Sequence, residues 1–68
     1  MKKPEDLKWT RINKSILFLE EGKNRFTIVK ENDVFYLTVN KYPQCKDTLK
    51  ICKSYTLDLI NGKIKFVQ

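Results

Sequence analysis

The alternation of apolar and polar residues between Leu17 and Val39 restricts the fold of this chain more than any other sequence feature. A period of two is typical of β-strands, because successive side chains of a strand point to opposite faces of the sheet. Turn-forming pairs interrupt the alternation at Gly22-Lys23 and at Asn32-Asp33. Reversing the chain at both turns predicts three antiparallel strands that share one apolar face: Leu17, Leu19, Phe26, Ile28, Phe35, Leu37 and Val39.

The two reversals agree with each other, although each is placed by its own turn sequence. Leu17 and Leu37 both fall opposite Ile28, one on each side of the central strand. On the other face, Tyr36 falls opposite Val29. Agreement between independent local signals is stronger support for a register than the propensity of any one residue.

Further strands are predicted at both ends of this meander. A turn at Asn13-Lys14 would add an earlier strand, with Trp9 beside Phe18 and Arg11 beside Ile16. Pro43 is expected to end the last strand of the meander, since proline lacks the N–H that a ladder needs. A turn or short helical segment is expected at 44–48.

From Cys45 onward two periods compete, because Cys45, Leu49 and Cys52 fit a helical stripe while Leu57 and Leu59 fit a strand. The strand is favoured, and the C-terminal part is predicted to be a hairpin, with a long bent strand from about Leu49 to Ile60. Asn61-Gly62 is a favoured pair for two-residue hairpin turns. The resulting rows are Leu59 with Ile64, Leu57 with Phe66, Tyr55 with Gln68 and Asp58 with Lys65. The prediction for residues 1–68 is therefore one all-β domain of five or six antiparallel strands. A meander plus a C-terminal hairpin would form a small barrel, SH3-like or of the oligonucleotide-binding type, or a two-layer sandwich.

Composition argues against catalysis and favours an anionic partner. The chain has no histidine, and its two glycines are both assigned to turns, so no histidine catalyst or glycine-rich phosphate loop is available. Two cysteines, Cys45 and Cys52, are too few to hold a metal without other ligands, and we expect free thiols and no cofactor. The formal net charge is +6, which attracts nucleic acid or acidic protein surfaces. An A/T-rich coding sequence, which tends to encode many lysines, is an alternative source of part of that charge.

The sheet face opposite the shared apolar face is the candidate site, and it is predicted to be both basic and aromatic. Three interpretations remain open: the face is covered by the rest of the chain, it binds single-stranded nucleic acid by stacking bases on aromatic rings, or it docks another protein. We expect a non-catalytic binding module, with single-stranded nucleic acid as the first partner to test. A protein-interaction module, as a homodimer, a complex subunit or an inhibitor encoded by a virus or mobile element, is the alternative. The predicted binding residues are Trp9, Arg11, Phe18, Arg25, Tyr36, Lys41 and Tyr42.

No apolar run approaches the roughly 20 residues that a membrane-spanning helix needs. The N-terminal stretch MKKPEDLKW lacks the apolar segment of a secretory signal. The sequence therefore predicts a cytoplasmic protein without a membrane anchor.

Overall fold

A computed structural model describes residues 1–66 of the chain. The elements, after a short 3₁₀ turn at Pro4–Asp6, are β1 (Thr10–Asn13), β2 (Ile16–Glu21), β3 (Asn24–Glu31), β4 (Val34–Val39), β5 (Tyr42–Asp47) and α1 (Leu49–Ile60). The strands form one antiparallel sheet in chain order, so that β1 and β5 are its two edges. The prediction of an all-β domain of five or six antiparallel strands is confirmed in part: the structure is mostly β, with five antiparallel strands in one open sheet, but its C-terminal part is a helix.

The predicted register of the central three strands is also confirmed. Ile28 lies opposite Leu17 on one side and Leu37 on the other, and Phe26 lies between Leu19 and Val39 in the next row. The six side chains of these two rows are all buried. The two turns have the backbone that their residues favour, with a φ of 62° at Gly22 and 58° at Asn32.

The prediction of a C-terminal hairpin is wrong, because Leu49–Ile60 is an α-helix. Thr48 caps its N-terminus: the hydroxyl oxygen accepts a hydrogen bond of 3.2 Å from the backbone N–H of Ile51. The buried residues of the helix are Cys52, Thr56 and Leu59, which follow the helical spacing i, i+4, i+7. The strand interpretation followed Leu57 and Leu59 instead and passed over this stripe.

The pair Asn61-Gly62 ends this helix instead of turning a hairpin. Gly62 has a φ of 75°, its N–H donates to the Leu59 carbonyl, and the next N–H, of Lys63, donates to the Asp58 carbonyl. Those two bonds are a Schellman C-cap, in which a glycine at positive φ satisfies the last helical carbonyls. The predicted strand rows of Leu57 and Leu59 therefore do not form, and the row of Tyr55 with Gln68 lies outside the described residues.

The two edge strands also differ from the sequence prediction, β1 in its register and β5 in its existence. On β1, Thr10 lies opposite Phe18 and Arg11 opposite Leu17, so the predicted pairing is wrong by one residue. The chain reverses at Lys14-Ser15 instead of at Asn13-Lys14, with Asn13 opposite Ile16, and the register then shifts between Arg11 and Asn13. The predicted break at 43–48 is strand β5, which begins at Tyr42 and includes Pro43. Proline is tolerated there because β5 is an edge strand.

The second layer of the molecule is the helix rather than another sheet. Helix α1 packs across β3, β4 and β5 on the side where Leu37 and Val39 are buried, which we call the core face. Leu7 and Trp9, which precede β1, pack into the same core. The sheet stays open, with α1 in place of the strands that would have closed a barrel or built a second sheet. Within residues 1–66, no helix is both long and apolar enough to cross a membrane.

Candidate binding face

The sheet face that points away from α1, here called the outer face, is built from two rows of side chains. The first row runs from Phe18 through Thr27 to Thr38, and the second runs from Ile16 through Val29 and Tyr36 to Lys46. Arg25, opposite Glu20, continues the face at one end. The registers follow from the same alternation that buries the core face, since neighbours along a strand point to opposite sides.

No strand or helix of residues 1–66 packs on the outer face. Its central side chains are half-buried all the same: Ile16, Phe18, Thr27, Val29, Tyr36 and Thr38. Neighbouring side chains within the sheet account for that partial burial, because cross-strand neighbours on one face lie only about 5 Å apart. The interpretation in which the chain's own C-terminal segment covers this face is not supported, because α1 lies on the core face.

Three of the predicted binding residues line one depression on the outer face. Phe18, Arg25 and Lys41 surround it, with Thr27, Thr38 and Asn40 completing its wall, and its volume is about 410 Å³. The aromatic ring lies on β2, the guanidinium comes from the start of β3, and the lysine comes from the turn between β4 and β5. An apolar ring is therefore flanked by two cationic side chains across three adjacent segments.

Asn40 fixes the turn that brings Lys41 to this depression. Its N–H donates to the Arg25 carbonyl and its side-chain Oδ1 accepts from the Arg25 N–H, both at 2.9 Å, and its Nδ2 donates to Asn24 Oδ1. Asn40 and Lys41 have φ values of 52° and 76°. Positive φ at both central residues is the two-residue hairpin geometry whose twist matches that of the strands. Left-handed backbone is uncommon for lysine, and the bonds of Asn40 hold it there.

Tyr36 lies in the second row, next to a cation that the sequence analysis did not include. Lys46 Nζ lies 5.6 Å from the centroid of the Tyr36 ring, within cation–π range. A bulge on β5 produces this contact: Thr38 faces Pro43 and Leu37 faces Cys45, which leaves Gln44 as the extra residue. Without that extra residue, alternation would place Lys46 on the core face.

Three other predicted residues lie away from the outer face. Trp9 is half-buried against the core and lines a cleft of about 490 Å³ beside α1, with Leu7 and Leu57 among its neighbours. Arg11 lies opposite Leu17, and its guanidinium donates to the carbonyls of Asn13 and Lys14. Tyr42 pairs with Val39, whose side chain points to the core face, and it stays 52% exposed at the sheet edge. The off-by-one register in β1 and the missed strand β5 explain why these three residues were placed on that face.

Arg25 is available to a ligand although it has an acidic neighbour. Its Nε lies 3.5 Å from Glu20 Oε2, with the two side chains 71% and 60% exposed. Ion pairs this exposed contribute little to stability because water screens them. A phosphate or carboxylate could therefore replace Glu20 at small cost.

Lys46 is the functional candidate that sequence reasoning missed. Its sequence signal is weak: Cys45 and Asp47 share one side of β5 and Lys46 lies on the other in either register, and only the bulge at Gln44 turns Lys46 to the outer face. Treating Pro43 as the end of the sheet excluded β5 altogether, whereas an edge strand accepts proline where its N–H would face solvent.

Among residues 1–66, no three His, Cys, Asp or Glu side chains lie close enough together to hold a metal ion. Comparison with known proteins found no matching protein-family model, curated protein or solved structure.

Proposed function

We propose that this protein is a non-catalytic binding module that holds single-stranded nucleic acid on the outer face of its sheet. The observation that supports the proposal best is the depression in which Phe18 is flanked by Arg25 and Lys41. Single strands bind sheets by stacking bases on exposed rings while basic side chains contact the phosphates. The depression combines both kinds of group.

Tyr36 provides a second stacking ring with its own cation. It lies two strands and one row from Phe18, which places the two rings roughly 12 Å apart from the usual strand and residue spacings. Each ring can therefore take a separate base, with Arg25 and Lys41 beside one and Lys46 beside the other. The net charge of +6 would bring a polyanion to this surface.

Protein docking through the same face is the second candidate, and one observation favours it. The centre of the second row is aliphatic, with Ile16 and Val29 next to Tyr36. Apolar side chains in a continuous row, rimmed by charge, are typical of contact surfaces between proteins. Stacking on bases makes little use of such residues.

The test measures the affinity of the protein for a mixed-sequence, fluorescently labelled single-stranded oligonucleotide. We expect Tyr36→Ala to weaken binding by about 5- to 150-fold, the equivalent of the 1–3 kcal/mol that one stacked base contributes. Tyr42→Ala is the matched control, because it removes the same side chain from the sheet edge and should leave affinity unchanged. Circular dichroism confirms that both variants fold.

Charge is tested by repeating the titration over a range of salt concentrations. Affinity should fall steeply with added salt, and Arg25→Gln should reduce the slope of log K against log salt by about 0.7 per lost phosphate contact. Lys63→Gln, which removes an exposed lysine beyond the end of α1, should leave the slope unchanged. Equal affinities of Tyr36→Ala and wild type would refute the nucleic-acid proposal. A dimeric mass in light scattering that Ile16→Lys reduces to the monomer would support docking instead.

A further inference from the structure

The side chains of Cys45 and Cys52, which belong to different elements, both lie at the interface between the sheet and the helix. Cys45 lies on β5 opposite the fully buried Leu37, and Cys52 lies in α1 with no exposed surface. The Cys52 sulfur lies 3.5 Å from the Phe35 carbonyl oxygen and 4.0 Å from that of Asp47. Cys45 packs against the same core cluster that contains Cys52. The two thiols are therefore neighbours in the layer between β5 and α1.

The bulge on β5 brings these thiols together. Tyr42 lies opposite Val39 and Pro43 opposite Thr38, so regular alternation would place Gln44 on the core face and Cys45 on the outer face. The extra residue reverses this assignment and turns Cys45 towards α1. The helix begins one residue after β5 ends, at the Thr48 cap, so its first turns pass directly over the end of that strand.

We propose that Cys45 and Cys52 form a reversible intramolecular disulfide by exchange with a small organic disulfide, and that this bond ties the edge strand β5 to helix α1. The inference does not depend on what the outer face binds. It concerns a pair of neighbouring cysteines on two elements, of which one is accessible to a reagent and the other is enclosed.

The exposure of the two thiols sets the order of the reaction. Cys45 is half-buried and still open to solvent, so its thiolate attacks one sulfur of the small disulfide and expels the other half as a thiolate. Burial, with the neighbouring Cys45, raises the pKa of the Cys52 thiol to about 11, which makes it a poor first nucleophile. Once Cys45 carries the mixed disulfide, Cys52 loses its proton, attacks the Cys45 sulfur and expels the second thiolate. Both cysteines are oxidised, and one small disulfide is reduced to two thiols.

The disulfide should stabilise the fold. It closes a short loop between residues seven positions apart, and the chain-entropy argument gives loops of this size a smaller effect than long ones. For a chain of this length, the midpoint of thermal unfolding should rise by on the order of 10 °C.

To test the proposal, the purified chain is incubated with oxidised glutathione. Its intact mass, its electrophoretic mobility without reductant and its thermal unfolding midpoint are then measured. The expected product is a monomer that has lost two hydrogen atoms, with a raised midpoint that returns to its starting value after reduction. Cys45→Ser and Cys52→Ser are the matched variants, and neither should show the mass loss or the rise. The reduced wild type supplies the baseline, so the result does not depend on either variant folding.

Three outcomes would overturn the proposal. A stable glutathione adduct on Cys45 would show that Cys52 cannot reach it. A covalent dimer would show that the thiols react between molecules. An intramolecular disulfide with an unchanged or lowered midpoint would show that the bond strains the interface instead of tying it.

Discussion

Lysine substitutions at Ile51 and Thr56 provide a direct test of how α1 lies on the sheet. Thr56 is fully buried in the helix, whereas Ile51 is 45% exposed on the same helix. A strand through these residues would have the opposite arrangement, because Ile51 would share the inner face with Leu57 and Leu59 while Thr56 pointed outwards. We therefore expect Thr56→Lys to unfold the protein and Ile51→Lys to be tolerated.

The magnitudes separate the two variants clearly. Burying an unpaired ammonium at position 56 costs several kcal/mol even after relaxation. A chain of this length has a total stability of about 3–10 kcal/mol, so that one substitution removes most or all of it. Ile51→Lys loses only part of the 1.5–3 kcal/mol that full burial of isoleucine would contribute, and lysine is a good helix former. We expect a cost of about 1 kcal/mol or less.

Thr56→Val separates the effect of the charge from the loss of the threonine side chain. The Thr56 hydroxyl donates a bond of 2.9 Å to the Cys52 carbonyl, which also accepts the helical N–H, so valine leaves no buried group without a partner. Its effect should stay within about 1 kcal/mol. Urea unfolding followed by circular dichroism measures all three variants. A folded Thr56→Lys together with an unfolded Ile51→Lys would refute the packing described for α1.

Three further predictions concern the ends and the interior of the helix. Thr48→Ala should lower the unfolding midpoint by about 4–8 °C, because the lost cap contributes about 1 kcal/mol, while Ser54→Ala at an exposed helical position should not lower it. Gly62→Ala should lower the free energy of unfolding, measured in urea, by about 1–2 kcal/mol, and Gly62→Asn should lower it less. Because nothing lies within 4 Å of the added Cβ, this cost comes from the positive φ alone. The pKa of Cys52 rises from 9.0 to about 11 on folding, so the folded state keeps a proton that the unfolded state releases. The free energy of unfolding should therefore fall as the pH rises through that window, and the fall should be smaller in Cys52→Ala; equal slopes would contradict the burial of this thiol.

The meander could be predicted from the sequence because its signals are local and repeated. Each turn sequence fixes one register, and Ile28 and Phe26 must satisfy two neighbours at once, so an error at one turn would disagree with the other. The same arrangement identified Phe18, Arg25 and Tyr36 as neighbours on the outer face. Lys41 follows from the turn after β4, which the sequence marks only by Pro43 two residues later.

The helix could not be separated from a strand because its sequence satisfies both periods. Leu57 and Leu59 alternate like a strand, and Cys52, Thr56 and Leu59 fit a helical stripe of which one member is polar. A threonine in a sequence is usually assigned to the surface. The hydroxyl of Thr56, however, donates a hydrogen bond within the helix, and its side chain is buried. The pair Asn61-Gly62 then reinforced the error, since residues that accept positive φ suit a hairpin turn and a helix C-cap equally well.

The bulge at Gln44 is the feature with the largest consequence for function and the weakest sequence signal. One extra residue on an edge strand moves every later side chain of that strand to the opposite face. The bulge therefore turns Cys45 towards α1, where Cys52 lies, and it also places Lys46 beside the Tyr36 ring. The letters YPQCKD alone do not place the bulge: after Pro43, regular alternation would put Gln44 and Lys46 on the core face, whereas the structure puts Cys45 and Asp47 there, so one charged residue falls on that face either way. The difference comes from tertiary packing: α1 begins directly after β5, and Cys45 fills space beneath its first turns that Gln44 would have to enter with an uncharged but strongly polar amide. The contact of Lys46 with Tyr36 on the proposed binding face and the proposed disulfide therefore depend on the same backbone irregularity, although they lie on opposite sides of the sheet.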